Sequence, residues 1–473
     1  MVFSSLPFIF LFLPLNLLVY FFAKDIKQKN TVMLIFSLIF YAWGEPKYVI
    51  LMLVSIGLNY FFGLWIGRMQ SKHRMRLAVT TCVFLNLLLL GYFKYFNFAV
   101  EIANSLLSRF AGGAHTLSFR EIALPVGISF YTFQALSYVV DVYRGENQAQ
   151  KNPINMMLYI SFFPQLIAGP IVKYHDIEEQ IENRTVTLEG FSYGVKRFIF
   201  GLGKKVILAN PFAEVVDAVY AYQAADVSQA MLWLTALLYM LQIYFDFSGY
   251  SDMAIGLGRM FGFTFPENFN YPYISRSVTD FWRRWHITLS TWFREYLYIP
   301  LGGNRVSPVR KVVNLLIVWL ATGLWHGASW NFLAWGGYFG ILLVLEKYAF
   351  RGAIEKLPAW LGRVLTGLLV LVGWVFFAHD SLADGAQYLL AMLGGGGSFV
   401  SGGTQRLLLD YLPLLLLCAL AATPLGKTAF TCLTASRPRL RSALTALLML
   451  LGFALMLTYV VNAGYNPFLY FRF

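Results

Sequence analysis

Apolar runs separated by short polar connectors recur along the whole chain. Four of them cover residues 77–90, 231–243, 364–377 and 443–461. Repeated runs of this kind are typical of helices that cross a bilayer, whose hydrocarbon core is about 30 Å thick. On that criterion the pattern predicts an all-α polytopic membrane protein with roughly eleven or twelve transmembrane or re-entrant helices.

Composition supports the membrane as the solvent. Of the 473 residues, 58% are hydrophobic and only 13% are charged, whereas a soluble protein carries about 25% charged residues. The net charge of +13 comes from lysines and arginines in the connectors rather than from one basic domain, so topology explains it better than nucleic-acid binding. We expect one integral membrane domain over residues 1–473, in contact with membrane lipid and without a nucleic-acid partner.

Basic connectors predict an orientation. The clusters at 24–29 and 68–76 flank two apolar segments that are broken at 44–46. Since positive charge favours the cytoplasmic side, both clusters are expected in the cytoplasm. A third cluster at 437–441 precedes the last apolar run, and the same rule places the C-terminus on the outer face.

The segment 276–305 is too charged to cross lipid and too aromatic to be a free loop. As a helix it would place Phe281, Trp285, Leu289 and Trp292 near one side, with charged residues between them, and Gly302 and Gly303 would end it. An interfacial anchor explains the aromatic and basic residues. His286 fits that explanation less well, because an imidazole in an aromatic block is suited to proton transfer.

The segment 312–348 would be about 55 Å long as one helix, so it must bend or break, and its glycines favour a break. His326 lies among those glycines, about 20 Å from the start of the segment, deep in the hydrocarbon region. An ionisable residue at that depth is expected to be functional. Helical spacing would place Thr322, Ser329 and Trp330 around its ring; the alternative is a neutral histidine that joins helices by a hydrogen bond.

Other chemistries lack their motifs. No metal site is predicted, because His286 and His326 have no HxxH, HExxH or cysteine cluster beside them. No GxSxG elbow adjoins either histidine, and the chain lacks a phosphate-binding loop of the GxxxxGK[ST] type. Asp246 and Asp252 lie in an apolar block, where they could orient an imidazole or satisfy an interhelical hydrogen bond; we favour the structural role.

A family resemblance rests on five motifs. They are LPVGISFYTFQALSYVVDVYRG at 124–145, FFPQLIAGP at 162–170, YFDFSGYSDMAIGLG at 244–258, FWRRWHITLSTWFREYLYIPLGGNR at 281–305 and WHGASW at 325–330. Together they resemble the bacterial membrane-bound O-acyltransferases (MBOAT), of the alginate O-acetylase AlgI type, with the DltB and PatA types more loosely similar. Outside 124–330 the chain resembles the family mainly in hydropathy.

The resemblance implies an MBOAT fold around a central channel, with His326 as the catalytic histidine and His286 at the second signature position. It implies an acetyltransferase of the bacterial inner membrane that uses acetyl-CoA as donor substrate, with no permanently bound cofactor. The acceptor would be an exported polysaccharide, alginate by default and otherwise peptidoglycan or cellulose, reached through an extracytoplasmic partner acetyltransferase of the SGNH or AlgJ/AlgX type. Arg283, Arg284 and Arg294 could meet the phosphates of coenzyme A or lipid headgroups.

The last residues, NPFLYFRF at 466–473, resemble an aromatic C-terminal motif whose tyrosine carries the acyl group in such systems. By that similarity Tyr470 is a candidate acyl carrier, and an aromatic interfacial anchor is the alternative. Two other functions stay open: a proton-coupled transporter or flippase with histidines in its proton pathway, and a membrane scaffold for polysaccharide export.

Overall fold

The computed structural model describes residues 1–110, 117–395 and 397–462. In these ranges the chain is helical, and the one β feature is an isolated antiparallel bridge between Phe269 and Trp285. The prediction of an all-α protein is confirmed. The α-helices are α1 Leu13–Phe22, α2 Ile26–Gly44, α3 Tyr48–Arg68, α4 Lys72–Phe110, α5 Ile128–Arg144, α6 Pro153–Ser161, α7 Phe163–Leu166, α8 Tyr174–Asn183, α9 Leu188–Gly203, α10 Asn210–Tyr220, α11 Gln229–Met260, α12 Val278–Arg284, α13 Ile287–Phe293, α14 Pro308–His326, α15 Trp330–Leu345, α16 Arg351–Lys356, α17 Ala359–Ala378, α18 Leu382–Leu390, α19 Gly402–Ala421, α20 Leu425–Leu433 and α21 Pro438–Asn462.

Short segments of other helical types adjoin these helices. The π-helical segments are Phe8–Phe12, Lys204–Ala209, Arg294–Tyr298, Glu346–Phe350 and Ala391–Gly395, and the 3-10 segments are Ala224–Asp226 and Pro272–Ile274.

Seven helices of the described ranges are long and apolar enough to cross a membrane: α3, α4, α11, α14, α17, α19 and α21. The chain is therefore a multi-pass membrane protein. Passages by the shorter or more polar helices, which the estimate of eleven or twelve includes, stay a prediction. The break expected at 44–46 is present, since α2 ends at Gly44 and α3 begins at Tyr48. The C-terminal motif 466–473, with Tyr470, lies outside the described residues.

The first of two compact units comprises Met1–Phe191 with Gly258–Phe265. Its long, mostly buried helix is α5, which α3, α4, α6 and α8 contact and in which even Gln134 and Asp141 are fully buried. Close packing against α3 depends on Gly63, because a Cβ there would lie 2.6 Å from the Tyr138 ring.

The second unit comprises Ser192–Leu257 with Pro266–Phe473, described up to residue 462. Its centre is α11, 78% of whose most apolar stretch is buried. Helices α14 and α15 form a tight antiparallel pair, in which a Cβ at Gly340 would lie 3.1 Å from that of Trp319. The aromatic core of this unit includes Phe281, Trp282, Trp285, Trp319, Trp335, Phe339 and Trp374.

Candidate active site

The end of α14 positions His326. Gly327 leaves the helix in an extended conformation, with φ −165° and ψ 155°, and α15 begins at Trp330. A Cβ at Gly327 would overlap the Phe332 ring, so a glycine is needed where the two helices meet. The predicted break within 312–348 is confirmed, and it places the histidine at the helix terminus.

Aromatic side chains surround the His326 ring, which is only 6% exposed. The rings of Trp325, Trp335 and Phe377 meet it edge to face, with ring centres 5.1, 5.0 and 5.1 Å away. These contacts confine the imidazole and separate it from water. The predicted position is thus buried within protein.

The helical-spacing argument for the neighbours of His326 was wrong in part. Ser329 and Trp330 do not follow the histidine at helical positions, because α14 ends there. The Ser329 hydroxyl instead donates to Asn331 Oδ1, and the Thr322 hydroxyl donates to the Val318 carbonyl at 2.8 Å.

His286 lies between two short helices, so the prediction of one amphipathic helix was wrong. α12 ends at Arg284, α13 begins at Ile287, and His286 has the left-handed values φ 45° and ψ 55°. The physical reason is a pairing with a distant segment: Asn270 N donates to Arg284 O at 2.9 Å, and Ile287 N donates to Asn268 O at 3.0 Å. Gly302 and Gly303, with φ of 107° and 53°, lie in the turn that follows the π-helical segment Arg294–Tyr298, so the helical part of 276–305 ends before them.

The His286 ring is 1% exposed, and its Nδ1 lies 3.1 Å from Asn268 Oδ1. Phe247 of α11 meets the ring edge to face at 4.8 Å. His286 lies outside the seven long apolar helices, and burial lowers its pKa below the usual value, so that the ring is neutral at pH 7.

Trp325 brings the two histidines into one site. Its indole meets the His286 ring edge to face at 6.1 Å and the His326 ring at 5.1 Å. A single aromatic side chain therefore contacts both imidazoles. Both histidines are therefore neighbours of one tryptophan, and imidazole is the side chain best suited to proton transfer near neutral pH.

Both carboxylates of the apolar block form ion pairs. Asp246 lies 2.7 Å from Lys205 Nζ, with both side chains at most 4% exposed. Asp252 accepts from Lys204 at 2.7 Å and from Arg197 at 2.6 Å. These contacts join α11 to α9 and the π-helical segment after it, which supports the structural role favoured for the two aspartates.

The three arginines differ in their surroundings. Arg283 is exposed. Arg284 pairs with Asp280 at 2.9 Å, and Arg294 pairs with Glu295 at 3.0 Å. All three belong to the segment 276–305 that contains His286. Arg284 and Arg294 each have a carboxylate partner.

Sequence reasoning did not single out Asn268, Trp335 or Phe377. Asn268 is fully buried and contacts His286 across 18 positions of sequence. The available signal was the pair of asparagines on either side of Phe269, which stands between an apolar block and an aromatic segment. Trp335 and Phe377 gave no such signal, because the surrounding sequence is aromatic throughout.

The fold and the site together define a multi-pass helical membrane protein with two histidines buried in one aromatic cluster. The model of the MBOAT, membrane-bound O-acyltransferase family matches residues 38–356, which contain both histidines. The chain belongs to this family and is an O-acyltransferase.

Relatives of stated function agree with this assignment. The protein of Azotobacter vinelandii named "Probable alginate O-acetylase AlgI" is 44% identical over 400 residues, which cover 84% of this chain and 79% of the relative. The "Peptidoglycan O-acetyltransferase" of Helicobacter pylori is 37% identical over 433 residues, covering 84% and 80%. The "Teichoic acid D-alanyltransferase" of Bacillus subtilis is 27% identical over 356 residues, covering 67% and 87%.

Proposed function

We propose that this enzyme takes acetyl from acetyl-CoA on the cytoplasmic side of a bacterial inner membrane and passes it outward for O-acetylation of an exported polysaccharide. The observation that carries the proposal is the contact of Trp325 with both His286 and His326. Acyl transfer from a thioester to a hydroxyl needs a base near the hydroxyl and a site from which water is excluded. The two buried histidines in an aromatic site support this proposal.

In the proposed step His326 removes the proton of an acceptor hydroxyl. The hydroxyl oxygen attacks the thioester carbonyl, a C–O bond forms, and the C–S bond breaks. The proton taken by His326 then neutralises the departing coenzyme A thiolate, so the enzyme returns to its starting state. The surrounding aromatic rings keep water from competing for the acyl group.

Tyr470 is the proposed first acceptor. A tyrosine hydroxyl has a reference pKa near 10, so it needs a base such as His326 to become a nucleophile. The charge rule that places the C-terminus on the outer face supports this role. An extracytoplasmic partner of the SGNH or AlgJ/AlgX type would then move the acetyl group to the polymer.

Alginate is the proposed polymer. Five relatives named as alginate O-acetylases are 42 to 44% identical to this chain, and the peptidoglycan O-acetyltransferase is 37% identical. Peptidoglycan and cellulose are the alternatives. At the cytoplasmic mouth Arg283, Arg284 and Arg294 are proposed to meet the coenzyme A phosphates, since guanidinium groups bind phosphate by paired hydrogen bonds.

Polymer acetylation in cells tests the function. Cells that produce the chain are compared with cells that carry His326→Ala or His379→Ala, and O-acetyl groups per sugar and the amount of exported polymer are both measured. We expect His326→Ala to abolish acetylation and leave export unchanged. His379→Ala alters a half-buried histidine outside the site of His286 and His326, and should retain acetylation. Loss of export with acetylation intact would instead favour the transporter.

A further inference from the structure

A buried side-chain amide holds the ring of His286. Asn268 is fully buried, and three donors converge on its Oδ1. They are His286 Nδ1 at 3.1 Å, the Thr288 hydroxyl at 2.9 Å and the Thr288 backbone N–H at 3.3 Å. One amide oxygen therefore organises the start of α13 and the adjacent imidazole.

The surrounding groups determine which way the Asn268 amide points. A backbone N–H can only donate, so the atom that faces Thr288 N must be the amide oxygen. On the other side the Asn268 Nδ2 donates to Ser251 Oγ at 3.1 Å. Because the amide oxygen cannot donate, the hydrogen between it and His286 belongs to Nδ1, and the neutral ring keeps its lone pair on Nε2.

Asn268 also supports the unusual backbone of His286. Its carbonyl accepts from Ile287 N at 3.0 Å, and the next residue, Phe269, bridges to Trp285. His286 and Tyr271 are the two non-glycine residues with positive φ in the described ranges. A left-handed histidine persists where its surroundings hold it, and Asn268 does so through both main chain and side chain.

We propose that Asn268 is a positioning residue that fixes His286 as the Nδ1-protonated tautomer, with Nε2 as a proton-accepting nitrogen of the acyl-transfer site. This inference rests on the proposed function, in which His286 belongs to that site. Asn268 would affect the reaction only by orienting His286. The network from Ser251 through Asn268 to His286 is the structural basis.

Several charged groups on elements near His286 form ion pairs with one another. From α11, Asp246 pairs with Lys205, and Asp252 pairs with Lys204 and Arg197. Other charged or titratable groups on elements near the ring include Glu267, paired with Arg197, Arg284, paired with Asp280, the exposed Arg283, His326 of α14, and Tyr244 and Tyr250 of α11. Desolvation is the cause that lowers the pKa of His286, so a new carboxylate beside the ring should dominate its titration.

Asn268→Asp makes that change without altering the shape of the residue. A carboxylate can accept the same three hydrogen bonds, and the Ser251 hydroxyl can rotate to donate. The negative charge stabilises the imidazolium, so the pKa of His286 rises, and the neutral acceptor is lost at a higher pH than in the wild type. In the pH profile of coenzyme A release from acetyl-CoA by the full chain in nanodiscs, we expect the acid limb to move upward by about one unit or more.

Two further variants separate positioning from folding. Asn268→Ala should lower kcat about 10- to 100-fold, as loss of a residue that orients a functional histidine does. Asn314→Ala is the matched control, because Asn314 is also fully buried in the second unit and makes an amide hydrogen bond to Leu301 O at 3.0 Å. It should keep the wild-type pH profile. A wild-type profile in folded Asn268→Asp would overturn the proposal.

The tautomer itself can be observed without turnover. In ¹⁵N-histidine-labelled protein, with His286→Gln to assign the signal, we expect the wild-type ring to be protonated on Nδ1 and the Asn268→Ala ring to lose this preference. Identical ring signals in both proteins would refute the role of Asn268. If the wild type releases no coenzyme A, the proposed function fails, but this measurement still decides the positioning role.

Discussion

The indole of Trp335 meets the imidazole of His326 edge to face, with ring centres 5.0 Å apart and planes at 82°. His326 is the last residue of α14, and Trp335 lies on α15. Only three residues separate the two helices, so the chain reverses direction sharply between them. Their contact depends on how closely these two helices approach. Small residues at the helix contact therefore determine the geometry of the candidate catalytic ring.

Gly323 is the first place to test that dependence. A Cβ at Gly323 would overlap the Phe332 carbonyl, whereas a Cβ at Gly337 would have only Leu320 Cδ2 nearby, at 3.9 Å. Overpacking costs about 1–3 kcal/mol, while alanine gains up to about 1 kcal/mol over glycine in a helix interior. We expect Gly323→Ala to lower the melting temperature in detergent and Gly337→Ala to leave it equal or higher. Equal melting of the two variants would contradict the account.

Replacing only one residue of the buried ion pair Lys205–Asp246 should lower the stability of the fold. Removing one partner leaves a buried charge without its counter-ion, at a cost of about 3–5 kcal/mol, whereas replacing both by apolar residues is often neutral. We expect Lys205→Met and Asp246→Leu each to lower thermal stability strongly and the double variant to recover most of it. Arg351→Ala, which breaks the exposed pair with Glu355, is the control and should have little effect. Additive losses in the double variant would argue against the pair.

Tyr470 can be tested by chemistry alone. After incubation with acetyl-CoA, mass spectrometry of C-terminal peptides should detect acetyl-tyrosine in the wild type and none in Tyr470→Phe. Tyr465→Phe changes the tyrosine just before this motif and should keep the modification. Absence of acetyl-tyrosine from a wild-type enzyme that releases coenzyme A would remove Tyr470 as the carrier.

The arginine assignment predicts an effect on binding rather than on chemistry. Because Arg283 is exposed, its replacement by alanine should raise KM for acetyl-CoA severalfold with kcat nearly unchanged, and the effect should shrink at high salt. Arg351→Ala is the matched control on an exposed arginine that we do not place at the site. An unchanged KM in Arg283→Ala would leave lipid headgroups as the explanation for this residue.

The sequence was most informative for the segment 312–348, whose length requires a break between two helices. The segment 312–348 is too long for one passage, and its glycines indicated where α14 ends. The break at His286 could not be predicted, because the local pattern of 276–305 suits an amphipathic helix. Its cause is pairing with residues 268–270, a tertiary contact that the local periodicity does not contain.

The neighbours of the candidate catalytic ring show the same limit. Helical spacing predicts neighbours of His326 only if the helix continues past it, and α14 ends there. The ring is packed instead by Trp335 and Phe377, which belong to other helices. The aspartates were easier to interpret, since a carboxylate in an apolar block requires a partner. Asp246 and Asp252 each have a cationic one.

Release of free coenzyme A from acetyl-CoA by the purified chain in nanodiscs tests the central claim most directly. His326→Ala is compared with the wild type and with His379→Ala, and folding of each variant is checked by thermal melting. We expect the wild type and His379→Ala to release coenzyme A and His326→Ala to release essentially none. Release that is unchanged in His326→Ala would contradict the catalytic role of this histidine.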